Sequence, residues 1–328
     1  MIIPAEEQDK AERIAEEDDK VFEFWKEEIS EEKAVVKLLV HAEKSQTIID
    51  KLKEEFSHND PFRLLLFRVE ASLPVEEEEE EKKEEKEEEE GKETAGVSRE
   101  ELYTEVKGQS ELSRVYVLLT VLAAVVASIG VLQDDVAVIV GAMVIAPMLG
   151  PNVGLSLATT LADIDLAKLA AKTTVLGIAL SFLVSIVLGM MLEVDPATTQ
   201  IEARTSVDLL HVVLALSAGS AGTLAYTKGL SSAVIGVMVA IALVPAIAAS
   251  GLLIGTGEMW KGFNAFLLFS INLICINLSG VLTFVAQGFE PSTWWEADKA
   301  RRMTKKALLL WISLLGILIA VIIYSQYL

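Results

Sequence analysis

The 328-residue chain has a single cysteine, Cys275, and three histidines. A lone cysteine in an apolar run excludes an intrachain disulfide, and the scattered histidines give no zinc-type spacing. Asp, Glu, Lys and Arg are missing from the cores of the long apolar runs. Proton transfer through buried carboxylates is therefore poorly supported. The start, MIIPAEEQDKAERIAEEDDK, lacks the basic end and apolar core of a cleaved signal peptide. There is no phosphate loop or dinucleotide fingerprint, and GTG at 255–257 is too short to count. Serine–histidine catalysis fails on distance. His211 and Ser220, the serine of AGSAG, are nine residues apart on one expected helix, about 13 Å along its axis. No later apolar run carries a histidine, and a nucleophile and its base need hydrogen-bond reach. An enzyme is not expected, and no cofactor is evident.

What is present is unevenly spread. Residues 1–111 hold 36 acidic and 17 basic side chains, and residues 112–328 hold 12 and 11. An acidic, soluble front thus precedes a nearly neutral body, and 52% of the chain is hydrophobic. That acidity argues against nucleic acid or anionic headgroups as partners of the front part.

The front part reads as alternating elements. KVFEFWKEEI and KAVVKLLVHAE, rich in β-branched and aromatic residues, form an expected hairpin. EKSQTIIDKLKEEFSH has helical spacing, PFRLLLFRVEASL is strand-like, and PAEEQDKAERIAEEDD is an earlier helix entered at Pro4. This order is that of a ferredoxin-like domain over residues 1–74, with Trp25 and the phenylalanines expected in its core. At this size the core is thin, which favours a homo-oligomer. Residues 75–97, with the run VEEEEEEKKEEKEEEEGKE, repel themselves and read as a linker. In VSREELYTEVKG, Ser98 and Glu101 are spaced as a capping box for a juxtamembrane helix over 98–112.

Seven apolar stretches follow, near 115–132, 136–161, 173–192, 207–225, 230–256, 262–287 and 307–325. Each is long enough for about 30 Å of hydrocarbon. If all cross and the front lies in the cytoplasm, eleven basic residues fall inside and two, Arg204 and Lys261, fall outside. The positive-inside rule prefers that arrangement, with the C-terminus outside. AVIVGAMVIAPMLGP and AVIGVMVAIALVPA share AVI, a Gly-x-Met-Val and a later proline, Pro151 or Pro245. Each is the middle of three spans. This suggests inverted repeats near 115–192 and 207–287, with 307–328 appended, and a broken helix at each proline segment. The alternative is that Gly and Pro only allow packing and a kink.

GAMVIAPMLGPNVGLSLATTL, VASIGVLQDDVAVIV before it, VSREEL, ARTS, ALSAGSAGTLAY, GVMVAIALVPAIAASG and NLICIN together resemble the hydrophobic membrane family catalogued as domain of unknown function 389. The resemblance covers about 98–287. It implies family-typical positions at Gly141, Met143, Pro147, Gly150, Pro151, Arg204, Gly219, Pro245 and Asn272. The family usually has a double proline near 245, whereas Val244 precedes Pro245 here. The resemblance supplies no activity.

The expected architecture is an α-helical polytopic membrane bundle of about seven spans behind an N-terminal α/β ferredoxin-like domain, with residues 113–328 forming the membrane domain. The expected function is a cell-membrane transporter or channel for a small neutral or anionic solute, regulated or assembled by the cytoplasmic domain. Its partners are the lipid bilayer, further copies of itself and a small molecule, without nucleic acid. The candidate solute-binding or helix-break residues are Gly141, Pro147, Gly150, Pro151, Asn152, Pro245 and Asn272. Arg204, Asp208 and His211 are candidates for the solute's way in. Arg204 and Asp208, four apart, are alternatively an ion pair on one helix face, and His211 a hydrogen-bonded interface residue. The other functional reading is a membrane sensor without flux, its small domain binding a nucleotide or other metabolite.

Overall fold

The computed structural model describes residues 1–17, 21–30, 33–40, 45–58, 62–67, 99–206, 208–229, 232–289 and 294–326. The acidic linker 75–97 and the expected cap Ser98 lie outside the described residues. The chain divides into two units, Met1–Glu101 and Leu102–Leu328.

The first unit contains β1 (Ile2–Pro4), α1 (Gln8–Glu17), β2 (Val21–Ser30), β3 (Lys33–Val40) and α2 (Ser45–Phe56). The sheet order is β1-β3-β2, with both pairings antiparallel. An antiparallel bridge joins Ile2 to Arg63. Ala34, Val36, Leu38 and Val40 alternate along β3 and share one core with Ala11 and Ile14 of α1 and with Ile48, Leu52 and Phe56 of α2. Both helices therefore cover the same face of the sheet.

Trp25, expected in that core, is 49% exposed. Its register partner is Lys37, which belongs to the other alternating set of β3, and directly opposed residues share a face. Phe22 is exposed too, whereas Phe56 is fully buried.

The division between the units falls in the first turn of α3 (Arg99–Ser110). Arg99 pairs with Asp50 at 3.2 Å, and Lys53 donates to Glu100 at 2.7 Å, fixing that turn to α2. Burial opposes ionisation of Glu100, but hydrogen bonds from Lys53 and Arg99 outweigh it and bring its pKa down to about 2.

The second unit is helical: α4 (Arg114–Leu132), α5 (Val136–Ile145), α6 (Leu149–Leu161), α7 (Ile164–Met191), α8 (Thr199–Thr205), α9 (Leu209–Thr227), α10 (Ser232–Gly255), α11 (Met259–Ala286) and α12 (Trp294–Gln326). The sequence supplies N-caps at Ser113, Asp135, Asp163 and Asp208, whose side chains accept from first-turn N–H groups. Among the described residues, five helices are long and apolar enough to cross a membrane: α4, α7, α9, α11 and part of α12. The pair α5–α6, bent by 56°, is a sixth where it counts as one broken span rather than a re-entrant loop.

Pro147 stands in the gap of that bent pair. The residue before a proline avoids helical backbone, and Ala146 is extended, with φ −68° and ψ 119°. The second expected break is not found. Pro245 lies inside α10, which runs unbroken from Ser232 to Gly255. A single proline removes one N–H and crowds one turn, which neighbouring helices can accommodate. The Pro147 segment adds Gly150 and Pro151 within the next four residues.

Packing between the helices is reciprocal. α7 packs on α10, and α11 packs on α6. Ala142, Met143, Ala146 and Met148 from the broken segment share a core with Val244 and Ala248 beside Pro245, so the two proline segments meet.

Candidate functional site

Helix α6 begins without help from its cap residue: Met148 makes no side-chain capping bond. Pro151, its third residue, has no N–H to leave unpaired, which is why proline is tolerated in a first turn. Asn152, Ser156 and Thr160 follow at four-residue intervals, all buried. This spacing places them on one face, which meets α11.

At the crossing, Asn277 donates from Nδ2 to Asn152 Oδ1 at 3.1 Å and to the Leu273 carbonyl at 2.9 Å. Asn152 donates in turn to the Met148 carbonyl at 2.7 Å. Ser156 Oγ lies 3.3 Å from the Asn277 carbonyl oxygen and 3.2 Å from that of Asn152. The relative exposures of Asn152 and Asn277 are 2% and 0%. Small residues permit this approach. A Cβ on Gly280 would stand 2.7 Å from Ser156 Oγ and 3.2 Å from Thr223 Oγ1.

Next to the pair is a crevice lined by Tyr116, Met148, Asn152, Thr174, Leu243 and Phe269, among others. It joins α4, the start of α6, α7, α10 and α11. Tyr116 Oη donates to the Thr173 carbonyl at 3.1 Å. Thr174 Oγ1 is buried without a hydrogen-bond partner among the described residues. In this conformation the walls leave no room for a water molecule.

The other expected residues are placed differently. Gly141 is exposed, and a Cβ there would touch nothing within 4 Å. Gly150 is buried, its missing Cβ 2.6 Å from Gln109 Cβ. Pro147 is half-buried in the break, and Pro245 is buried in α10. Asn272 is buried on α11, five residues before Asn277.

Arg204, Asp208 and His211 do not form one cluster. Helix α8 ends at Thr205, so Arg204 and Asp208 share no helix face. Arg204 donates to Gln200 Oε1 at 2.8 Å, while the Gln200 N–H donates to Asp134 at 2.8 Å. Burial pushes the Arg204 pKa down, and the charge of Asp134 opposes that shift. Asp208 and His211 form a capping box for α9, with His211 Nδ1 2.8 Å from Asp208 Oδ1.

Sequence reasoning missed Thr174 and Tyr116. A third span read from residue 173 puts Thr174 at its edge, but α7 starts at Ile164, and Thr174 lies well inside. The polar pair TT at 173–174, where the apolar part of that helix begins, was the available signal.

A family model described as a domain of unknown function (DUF389) matches residues 143–278, a span that contains the break and both asparagines. The Uncharacterized protein MJ0678 of Methanocaldococcus jannaschii is 38% identical over 292 residues, covering 89% of this chain and 88% of that one. The chain belongs to the DUF389 family. No solved structure matches it. In this DUF389 protein the matched span ends at Leu278, one residue after Asn277.

Proposed function

We propose that the protein is a multi-pass transporter or channel that passes a small neutral or anionic solute beside the α5–α6 break. The observation that carries this reading is the buried Asn152–Asn277 amide pair at that break. Polar groups and irregular backbone at membrane depth are retained where they are buried in protein or line a solute path.

The finer architecture belongs to the same reading. Helix α10, with 24 residues and hence about 36 Å long, counts as a crossing beside the five long helices and the bent pair, giving seven. The reciprocal packing of α7 on α10 and α11 on α6 supports two inverted repeats, of which only the first is broken. In the N-terminal unit, the order Arg63–β1–β3–β2 with two helices on one face supports a ferredoxin-like fold. That unit is cytoplasmic and the C-terminus outside, in a homo-oligomer in the cell membrane. No enzymatic chemistry is proposed.

A second reading is favoured by the closed crevice: a sensor without flux, in which the α/β unit takes a metabolite or nucleotide. Solute-driven swelling of liposomes containing the purified full chain separates the two. Permeation predicts swelling with glycerol, urea or nitrate above that of empty liposomes, reduced at least tenfold in Asn152→Leu and Asn277→Leu. A correctly assembled wild type that moves none of these probes favours the sensor.

A further inference from the structure

The groups around the crevice differ in what they still offer. Asn152 Oδ1 already accepts from Asn277, and Asn152 Nδ2 donates to the Met148 carbonyl. The Tyr116 hydroxyl donates to the Thr173 carbonyl. Thr174 is different. A helical threonine commonly returns its hydroxyl to a carbonyl one turn back, yet among the described residues Thr174 Oγ1 is buried without a partner, and the residue is 8% exposed. A buried orphan hydroxyl costs free energy, so its retention needs an explanation.

The second feature is independent of the first. Helix α6, with 13 residues, brings its first turn to the same crevice through Met148 and Asn152. Met148 provides no side-chain cap. A helix N-terminus carries partial positive charge and outward N–H groups, and it favours anions. Among the described residues, no Asp or Glu lines the crevice to neutralise this end, and no Lys or Arg lines it either.

We propose that the crevice between Thr174 and the first turn of α6 binds a weakly hydrated monovalent anion. Thr174 Oγ1 donates to it, and the helix end compensates part of its charge. Without a basic side chain, a divalent anion such as sulfate would remain undercompensated. Leu243 and Phe269 make the walls apolar, which suits an anion that sheds water readily. Met148 lines the crevice, and its flexible thioether chain is suited to moving aside. This assignment names the solute class for the permeation reading and rests on the same site.

The test compares sodium nitrate with sodium gluconate at equal ionic strength in thermal unfolding of the purified full chain. Wild type, Thr174→Ser and Thr174→Val are titrated in parallel. Nitrate should raise the midpoint saturably in wild type and in Thr174→Ser. In Thr174→Val the half-saturating concentration should rise at least tenfold. Thr174→Ala serves the same purpose if the valine variant does not assemble. Equal curves for nitrate and gluconate in wild type overturn the proposal, as does a hydroxyl-free variant that titrates like wild type.

The same preparation in liposomes, with potassium nitrate and valinomycin in one arm and glycerol in the other, separates site from permeation. Thr174-dependent stabilisation without flux upholds the anion site and contradicts the permeation reading. Glycerol flux without nitrate stabilisation upholds permeation and overturns the anion site.

Discussion

Asn277 donates a 3.1 Å hydrogen bond to Asn152 from 125 residues away in the chain. The bond ties the first turns of α6 to α11, and both side chains are buried. Neither asparagine is charged, so the contact can break and re-form without burying an ion.

This pair predicts a non-additive mutant cycle. Replacing either asparagine with leucine strands the remaining amide and should cost about 0.5–2 kcal/mol. Replacing both removes the stranded group, so the double variant should lose less than the sum by about 0.5 kcal/mol or more. Reversible unfolding in mixed micelles measures each term. Strict additivity would mean that the two amides do not interact.

The glycines predict a contrast. Gly280→Ala forces a Cβ to 2.7 Å from Ser156 Oγ and should destabilise by about 1–3 kcal/mol. Ser156→Ala should recover part of that loss, because the clashing atom is gone. Gly219→Ala meets Ser279 Oγ and also the Ile276 backbone, its Cα at 2.7 Å, so Ser279→Ala should leave the backbone clash and most of the loss in place. Gly141→Ala meets nothing and should be neutral or stabilising by up to about 1 kcal/mol. Thermal unfolding of the four variants gives the ranking, and a damaging Gly141→Ala would contradict the placement of that face.

How much of this the sequence discloses depends on the physical range of each signal. Hydropathy places the helices because burial in lipid acts on whole runs of residues. Pro147 discloses its break because proline acts on its own turn and the one before. The Asn152–Asn277 contact was not legible, because nothing local in either helix specifies a partner more than a hundred residues distant. The expected Arg204–Asp208 pairing needed a continuous helix, and α8 stops at Thr205. Pro245 was misread because the motif resembles that at Pro151, while buried neighbours keep α10 whole. Trp25 was assigned to the core by residue type, although register with Lys37 turns it outward.

Glu100 predicts an acid-sensitive junction between α2 and α3. Its folded pKa of about 2 lies below the ordinary 4.5. Stability from its ionised form is therefore complete above about pH 4.5 and is lost as pH falls toward 2. Hydrogen exchange in residues 45–56 and 99–106 should accelerate across that window in wild type. In Glu100→Gln the acceleration should be largely absent. An unchanged pH profile in that variant would assign the acid sensitivity to other carboxylates.

If the α5–α6 break lines a path for solute, water-soluble reagents must reach it, and cysteine accessibility reads this out. Met148→Cys and Leu243→Cys are made in a Cys275→Ser background and exposed to a membrane-impermeant thiol reagent in intact, reconstituted membranes. Val213→Cys, on an exposed face of α9, serves as the lipid-facing control. Both crevice positions should be labelled and the control should not. Crevice cysteines as unreactive as the control would contradict it.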